Sequence, residues 1–160
     1  HFARMSALPV EVTYRVAESL DHEIVVAMLR ELVDELGPSD TAPRIKLRLD
    51  GDIRAALESA DVRIFLAEKD GDVIGLSRGD ILTGDPIFRL RDDRRCGYVD
   101  QMFVRPAYRS TGVGAHLLGL CEDWFREKGI GHALLHAAPR AVRFYAREGY
   151  QPNREMFKRL

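Results

Sequence analysis

The sequence predicts an α/β or α+β domain built on a mixed sheet, and three observations carry that prediction. Stretches of alternating apolar residues and stretches with apolar residues three to four apart succeed one another in the order β-α-α-β-β-β-α-β-α-β. Asp70-Gly71 separates two strand-like runs and suits a tight hairpin turn that needs positive φ. Finally, the apolar run Tyr98-Val99-Asp100-Gln101-Met102-Phe103-Val104 enters a glycine-containing turn ahead of a long amphipathic helix.

Residues 12–17 alternate well enough to open the domain as a strand, and Asp21 is placed to cap a helix over residues 22–36. Ile24, Met28, Leu32 and Leu36 recur every four residues in that helix, with Val25 and Leu29 widening the buried stripe, and Gly37-Pro38 ends it. After the polar hinge at residues 39–43, segments 44–49 and 52–59 read as short helices on either side of Gly51. Residues 63–69 and 73–81 form the hairpin. Residues 83–95 read as a mixed-charge loop carrying Arg89, Arg91, Arg94 and Arg95 beside Asp85, Asp92 and Asp93. Residues 97–104 give the next strand and residues 112–128 a helix whose inward face carries Val113, Leu117, Leu120, Cys121, Trp124 and Phe125. A short strand at 132–137, a helix at 139–147 and a turn at Gly149-Tyr150 into terminal strand material ending at residues 157–160 complete the order.

At 160 residues the chain fits one domain with a sufficient core of its own, taken here as residues 5–160, with residues 1–4 read as an artificial extension ahead of a start at Met5. Apolar residues at 46% and charged residues at 31% describe an ordinary globular protein, and a net charge of −1 argues against nucleic acid as the main partner. The longest apolar run, residues 24–29, is far short of a membrane span, and no signal peptide is visible. Cys96 and Cys121 lack the spacing of a zinc or redox pair, so the expected setting is reducing and cytoplasmic, with no metal.

The turn Arg109-Ser110-Thr111-Gly112-Val113-Gly114 carries the first chemistry. Backbone N–H groups at a helix start have no partner within the helix, so those of Thr111, Gly112, Val113, Gly114 and Ala115 can converge on a phosphate while the glycines keep β-carbons clear. Arg109 adds charge and Ser110 a hydroxyl. A P-loop would need lysine after Gly114, and a dinucleotide fingerprint would need glycine where Leu117 stands.

An apolar strand followed by Arg-x-x-Gly-x-Gly resembles the acetyl-CoA-binding signature of the GCN5-related N-acetyltransferases. The stretch Ala141-Val142-Arg143-Phe144-Tyr145-Ala146-Arg147-Glu148-Gly149-Tyr150 is similar to the family's Ala-x-x-Phe-Tyr-x-x-x-Gly-Phe segment. Ser110 stands where the family most often has glycine, and Ala138 where it often has asparagine. The resemblance implies a mixed, mostly antiparallel sheet of six to seven strands with about four helices. It also implies that Met102, Phe103 and Val104 present backbone groups to the pantetheine arm where their strand splays from residues 132–137. A β-bulge there would aim such groups outward. Tyr145 becomes the implied general acid for the departing thiolate, since a phenol of pKa about 10 is protonated at neutral pH.

Transfer to an amine also needs a route for a proton. A primary amine of pKa about 10.4 is neutral in about one molecule in 2,500 at pH 7, a cost near 4.6 kcal/mol. The strand resembles the Tyr-hydrophobic-Glu-Asp-x-Phe-Val strand of polyamine acetyltransferases, which makes Asp100 the candidate base, acting through water, unless it simply pairs with Arg95 or Arg105. His136 is the alternative acceptor.

The resemblance therefore implies a cytoplasmic acyltransferase that moves acetyl from acetyl-CoA to a primary amine by direct attack in a ternary complex, without metal, nucleic-acid or membrane partners. A small-molecule acceptor is favoured; Asp34, Glu35 and Asp40 suit a cationic one. A peptide or protein amine, a non-catalytic coenzyme A-binding regulatory module and a nucleotide-binding protein of another family stay open as alternatives, as does a homodimer.

Overall fold

The computed structural model describes residues 11–84 and 92–160. One sheet holds five strands in the order β1 (Thr13–Val16), β2 (Val62–Lys69), β3 (Asp72–Thr83), β4 (Arg95–Val104) and β5 (Ala133–Leu135). The first four are antiparallel neighbours; β5 runs parallel to β4. Helices α1 (His22–Glu35) and α2 (Ala42–Glu58) cover one face, α3 (Val113–Glu127) the other, and the short α4 (Val142–Arg147) follows β5. Among the described residues no helix is long and apolar enough to cross a membrane.

Side-chain alternation on β2 divides the core in two. Ile64 and Leu66 point toward Val25, Met28 and Leu29 of α1 and Leu49 and Ile53 of α2, whereas Phe65 and Ala67 join Leu117, Leu118, Cys121, Trp124 and Phe125 of α3. Each fully buried side chain of this size contributes about 1.5–3 kcal/mol, so both layers hold the sheet firmly.

The hairpin forms as expected, with Asp70 at φ 53° and Gly71 at φ 81°. Asp21 sits at the start of α1, but its carboxylate turns back to Arg15, at 2.7 Å, and to the Glu18 N–H. Two expectations need correction. The two short helices around Gly51 are one continuous α2, because Leu49, Ile53 and Ala56 bury a single stripe through the glycine, and that burial exceeds the roughly 1 kcal/mol a helical glycine costs. No strand forms between Tyr150 and Leu160, so the described residues give five strands and not six or seven; Met156, Phe157 and Leu160 are exposed, and a strand needs a hydrogen-bonded neighbour. The mixed-charge loop lies largely outside the described residues, although Arg95 is seen to pair with Asp93.

The placement of α3 is set by close packing. Gly97 and Gly79 lie under the Phe125 ring, where an added β-carbon would stand 2.4 Å and 2.9 Å from it. Glycine at these two sheet positions lets α3 settle low enough to bring its N-terminus beside the end of β4.

Candidate active site

The site is built around a break in β4. Arg78 pairs with Gln101 while its neighbour Gly79 pairs with Val99, so Asp100 is an extra residue bulged out of the ladder. On its other edge β4 pairs with β5 only as far as Val99 opposite Leu135, after which the two parallel strands separate. Residues 100–104 therefore turn one backbone edge toward a cavity of about 680 Å³. Its walls include Asp100, Gln101, Met102, Phe103 and Val104 from β4, Leu32 and Glu35 from α1, His136 beyond β5, and Phe144 and Tyr145 from α4. The expected bulge and splay are thus both present.

At the cavity's other end lies the glycine turn. Ser110 has φ 61° and Gly112 φ 89°, and Gly112 is the residue that starts α3. The first helical bond runs from the His116 N–H to the Gly112 carbonyl at 3.0 Å, which leaves the N–H groups of Val113, Gly114 and Ala115 without helical partners. Ser110, Gly112, Gly114 and Ala115 line the cavity. A β-carbon on Gly114 would reach to 3.5 Å from Phe144, filling space between the turn and α4. The side chains of the other two turn residues lead elsewhere: Thr111 donates its hydroxyl to the Tyr108 carbonyl, and Val113 is buried in the core. Any contact from them to a cavity ligand would run through the main chain.

Arg109 is held on three sides. Its Nε donates to the Val104 carbonyl at 2.7 Å, its guanidinium forms a bidentate pair with Glu35, and it lies 5.6 Å over the Phe103 ring. Arg140 reaches the same Glu35 carboxylate at 3.1 Å. The hydrogen bonds from Arg109 hold the Glu35 carboxyl below the usual range.

Asp100 meets neither Arg95 nor Arg105. It stands 3.4 Å from Arg78, whose guanidinium makes two hydrogen bonds to Asp80 at 2.7 and 2.8 Å. Arg105 pairs with Glu31 instead. Burial lifts the Asp100 carboxyl above its ordinary value against the pull of Arg78, and Asp80 lifts it further. His136 accepts at Nδ1 from the Tyr98 hydroxyl at 2.6 Å and donates from Nε2 to Glu155 at 2.7 Å, in the tautomer these partners favour. Among the described residues, Gln101 Oε1 at the cavity wall is a buried acceptor with no hydrogen-bond partner.

Tyr145 packs edge-on against Phe144 and Tyr150, with ring centroids 5.0 and 5.8 Å away. Burial raises its phenol pKa, so it is a proton donor at neutral pH. Sequence reasoning missed Arg78, Asp80 and Arg140 and did not connect Glu35 with Arg109. The only available signal for the last was charge, and Glu35 and Arg109 are 74 positions apart.

A strand that splays at a bulge, feeding a glycine turn at a helix start, defines an α/β domain suited to an extended, phosphate-bearing ligand. The sequence matches the Acetyltransferase (GNAT) family over residues 26–150, and the chain belongs to that family. It is 27% identical over 97 residues to glucosamine 6-phosphate N-acetyltransferase of Trypanosoma brucei brucei, a match that covers 60% of this chain and spans only 63% of that relative's length. Two solved structures share the fold. A GCN5-related N-acetyltransferase from Ralstonia eutropha JMP134 superposes with a TM-score of 0.85 at 24% identity, covering 94% of this chain and 99% of that one. A predicted acetyltransferase with acetyl-CoA from Clostridium acetobutylicum gives 0.83 at 21% identity, covering 94% and 96%.

Proposed function

We propose that the protein is an acetyl-CoA-dependent N-acetyltransferase, a single domain over residues 5–160 that transfers acetyl to the primary amine of a small molecule by direct attack in a ternary complex. The observation that carries this reading is the continuity of one cavity from the Asp100 bulge to the Gly112–Gly114 turn. Family membership supports it, and the sugar amine named for the trypanosomal relative supports a small-molecule acceptor.

Coenzyme A fits the residues present. The spare N–H groups of Val113, Gly114 and Ala115, together with those of Thr111 and Gly112, suit a diphosphate, and Gly112, Gly114 and Ala115 line the cavity in which it would lie. Ser110 and Arg109 flank the turn. Main-chain groups of Met102, Phe103 and Val104 would hold the pantetheine arm along the splayed edge of β4. Bound there, acetyl-CoA supplies an activated acyl group as a thioester.

The chain's own groups then divide the labour. Backbone donors at the splay polarise the thioester carbonyl. Asp100, kept partly desolvated beside Arg78, takes the proton from the ammonium through water, and Tyr145 protonates the leaving thiolate. Orientation of amine and thioester in one cavity supplies much of the remaining rate enhancement.

The test is release of free coenzyme A thiol when the protein and acetyl-CoA meet a panel of amino sugars, polyamines, aminoglycosides and peptides. Thiol release with a small amine supports the assignment. Release with peptides alone moves the acceptor to the protein class, and binding of acetyl-CoA without release under any amine makes the chain a non-catalytic module.

A further inference from the structure

Resting on that reading of the cavity, we propose that Arg140 is a second phosphate-binding arginine beside Arg109, and that Glu35 is a built-in counter-anion which holds both guanidiniums and yields them to a phosphate. The three side chains come from distant parts of the chain: Glu35 from the last turn of α1, Arg109 from the glycine turn, and Arg140 from the short turn that opens α4. All three line the same cavity as Ser110, Gly112 and Gly114.

The geometry distinguishes the roles of the two arginines. Arg109 is anchored by its Nε bond to the Val104 carbonyl and by the Phe103 ring, so it keeps its place whichever anion it faces. Arg140 is over half exposed and approaches Glu35 at 3.1 Å, which leaves it able to turn toward another acceptor. Glu35 presents two oxygens to guanidinium groups, the pattern a phosphate also presents. Two cations against one carboxylate leave an excess positive charge at the turn, and a diphosphate carries more charge than the carboxylate it would replace. Glu35 then sets the threshold for phosphate binding: it keeps the arginines ordered and lowers their net attraction for an anion.

The opposite arrangement, in which Glu35 only positions Arg109, makes the opposite prediction for removal of its charge. Binding of coenzyme A and of phosphate-free pantetheine is measured by calorimetry at low ionic strength for the wild type, Glu35→Gln and Arg140→Gln, with circular dichroism melts to establish folding. Glu35→Gln is expected to tighten coenzyme A at least threefold and leave pantetheine unchanged. Arg140→Gln is expected to weaken coenzyme A at least threefold, again with pantetheine unchanged. Equal or weaker coenzyme A binding by Glu35→Gln overturns the counter-anion role, and unchanged binding by Arg140→Gln removes that residue from the site. A wild-type protein that binds no coenzyme A overturns the acetyltransferase reading itself, an outcome separate from either variant result.

Discussion

Val99 and Phe103 lie four positions apart on β4 and are buried on opposite faces of the sheet, Val99 against α3 and Phe103 against α1 and α2. A regular strand would put them on one face. The extra residue between them, Asp100, reverses the phase, so the same bulge that seats Phe103 in its core also delivers a carboxylate to the cavity.

Asp100→Asn follows from this placement. Because burial raises its carboxyl pKa in the folded chain, the fold disfavours the ionised form: stability is greatest below the unfolded value and declines as pH rises through the raised one. At neutral pH the amide should therefore raise the melting temperature, and Arg78 stays paired with Asp80. Turnover should fall about 10²-fold if Asp100 carries the proton, and the acidic limb of the wild-type rate profile should lie above the ordinary carboxylate range. Paired melts and pH–rate curves decide; an unchanged rate passes the role to His136 or to water alone.

Gly97→Ala tests the contact that seats α3. The new β-carbon would lie 2.4 to 2.6 Å from three atoms of the Phe125 ring, deep in the core, where neither helix nor sheet can yield cheaply. A loss of about 1–3 kcal/mol is expected, as for other overpacked cores. Adding Phe125→Leu should return part of it, because the two positions share one clash. Urea unfolding of the single and double variants measures both numbers; additive losses would place the strain elsewhere.

Ser110 is held at φ 61°, a left-handed conformation that costs a residue with a β-carbon roughly 1–2 kcal/mol. The glycine most often found there in the family has its physical reason in that angle. Ser110→Gly should leave stability level or slightly raised, while Ser110→Val, β-branched, should lose about 1–2 kcal/mol and with it affinity for coenzyme A. Thermal melts with and without coenzyme A read both effects.

These positions also show what the sequence could reveal. The Asp70-Gly71 hairpin, the α1 stripe and the turn ahead of α3 were legible because each depends on residues within a few positions. Gly51 misled because the stripe from Leu49 to Ala56 outweighs a local propensity, and the terminal strand failed because pairing is decided by a neighbour. In the site, bulge and splay were anticipated through family resemblance. The partners of Asp100 and Arg109 were not: Arg78 lies across the sheet and Glu35 on another helix, so charge alone offered several equivalent pairings.

Tyr145→Phe separates chemistry from architecture. The ring contacts with Phe144 and Tyr150 survive loss of the hydroxyl, so the melting temperature and the affinity for coenzyme A should change little. If the phenol protonates the thiolate, kcat should fall about 10²-fold with KM for acetyl-CoA nearly constant. The raised phenol pKa places loss of the wild-type donor above the usual tyrosine range, so no basic limb from this group should appear below about pH 10. Thiol-release assays can read this cleanly, because Cys96 and Cys121 are buried and burial pushes the Cys121 thiol up to about 12, leaving it unreactive in the folded protein. An acceptor for which departure of the coenzyme A thiolate is not rate-limiting would show a smaller drop than one for which it is, and equal rates for wild type and variant across all acceptors would strip Tyr145 of the acid role.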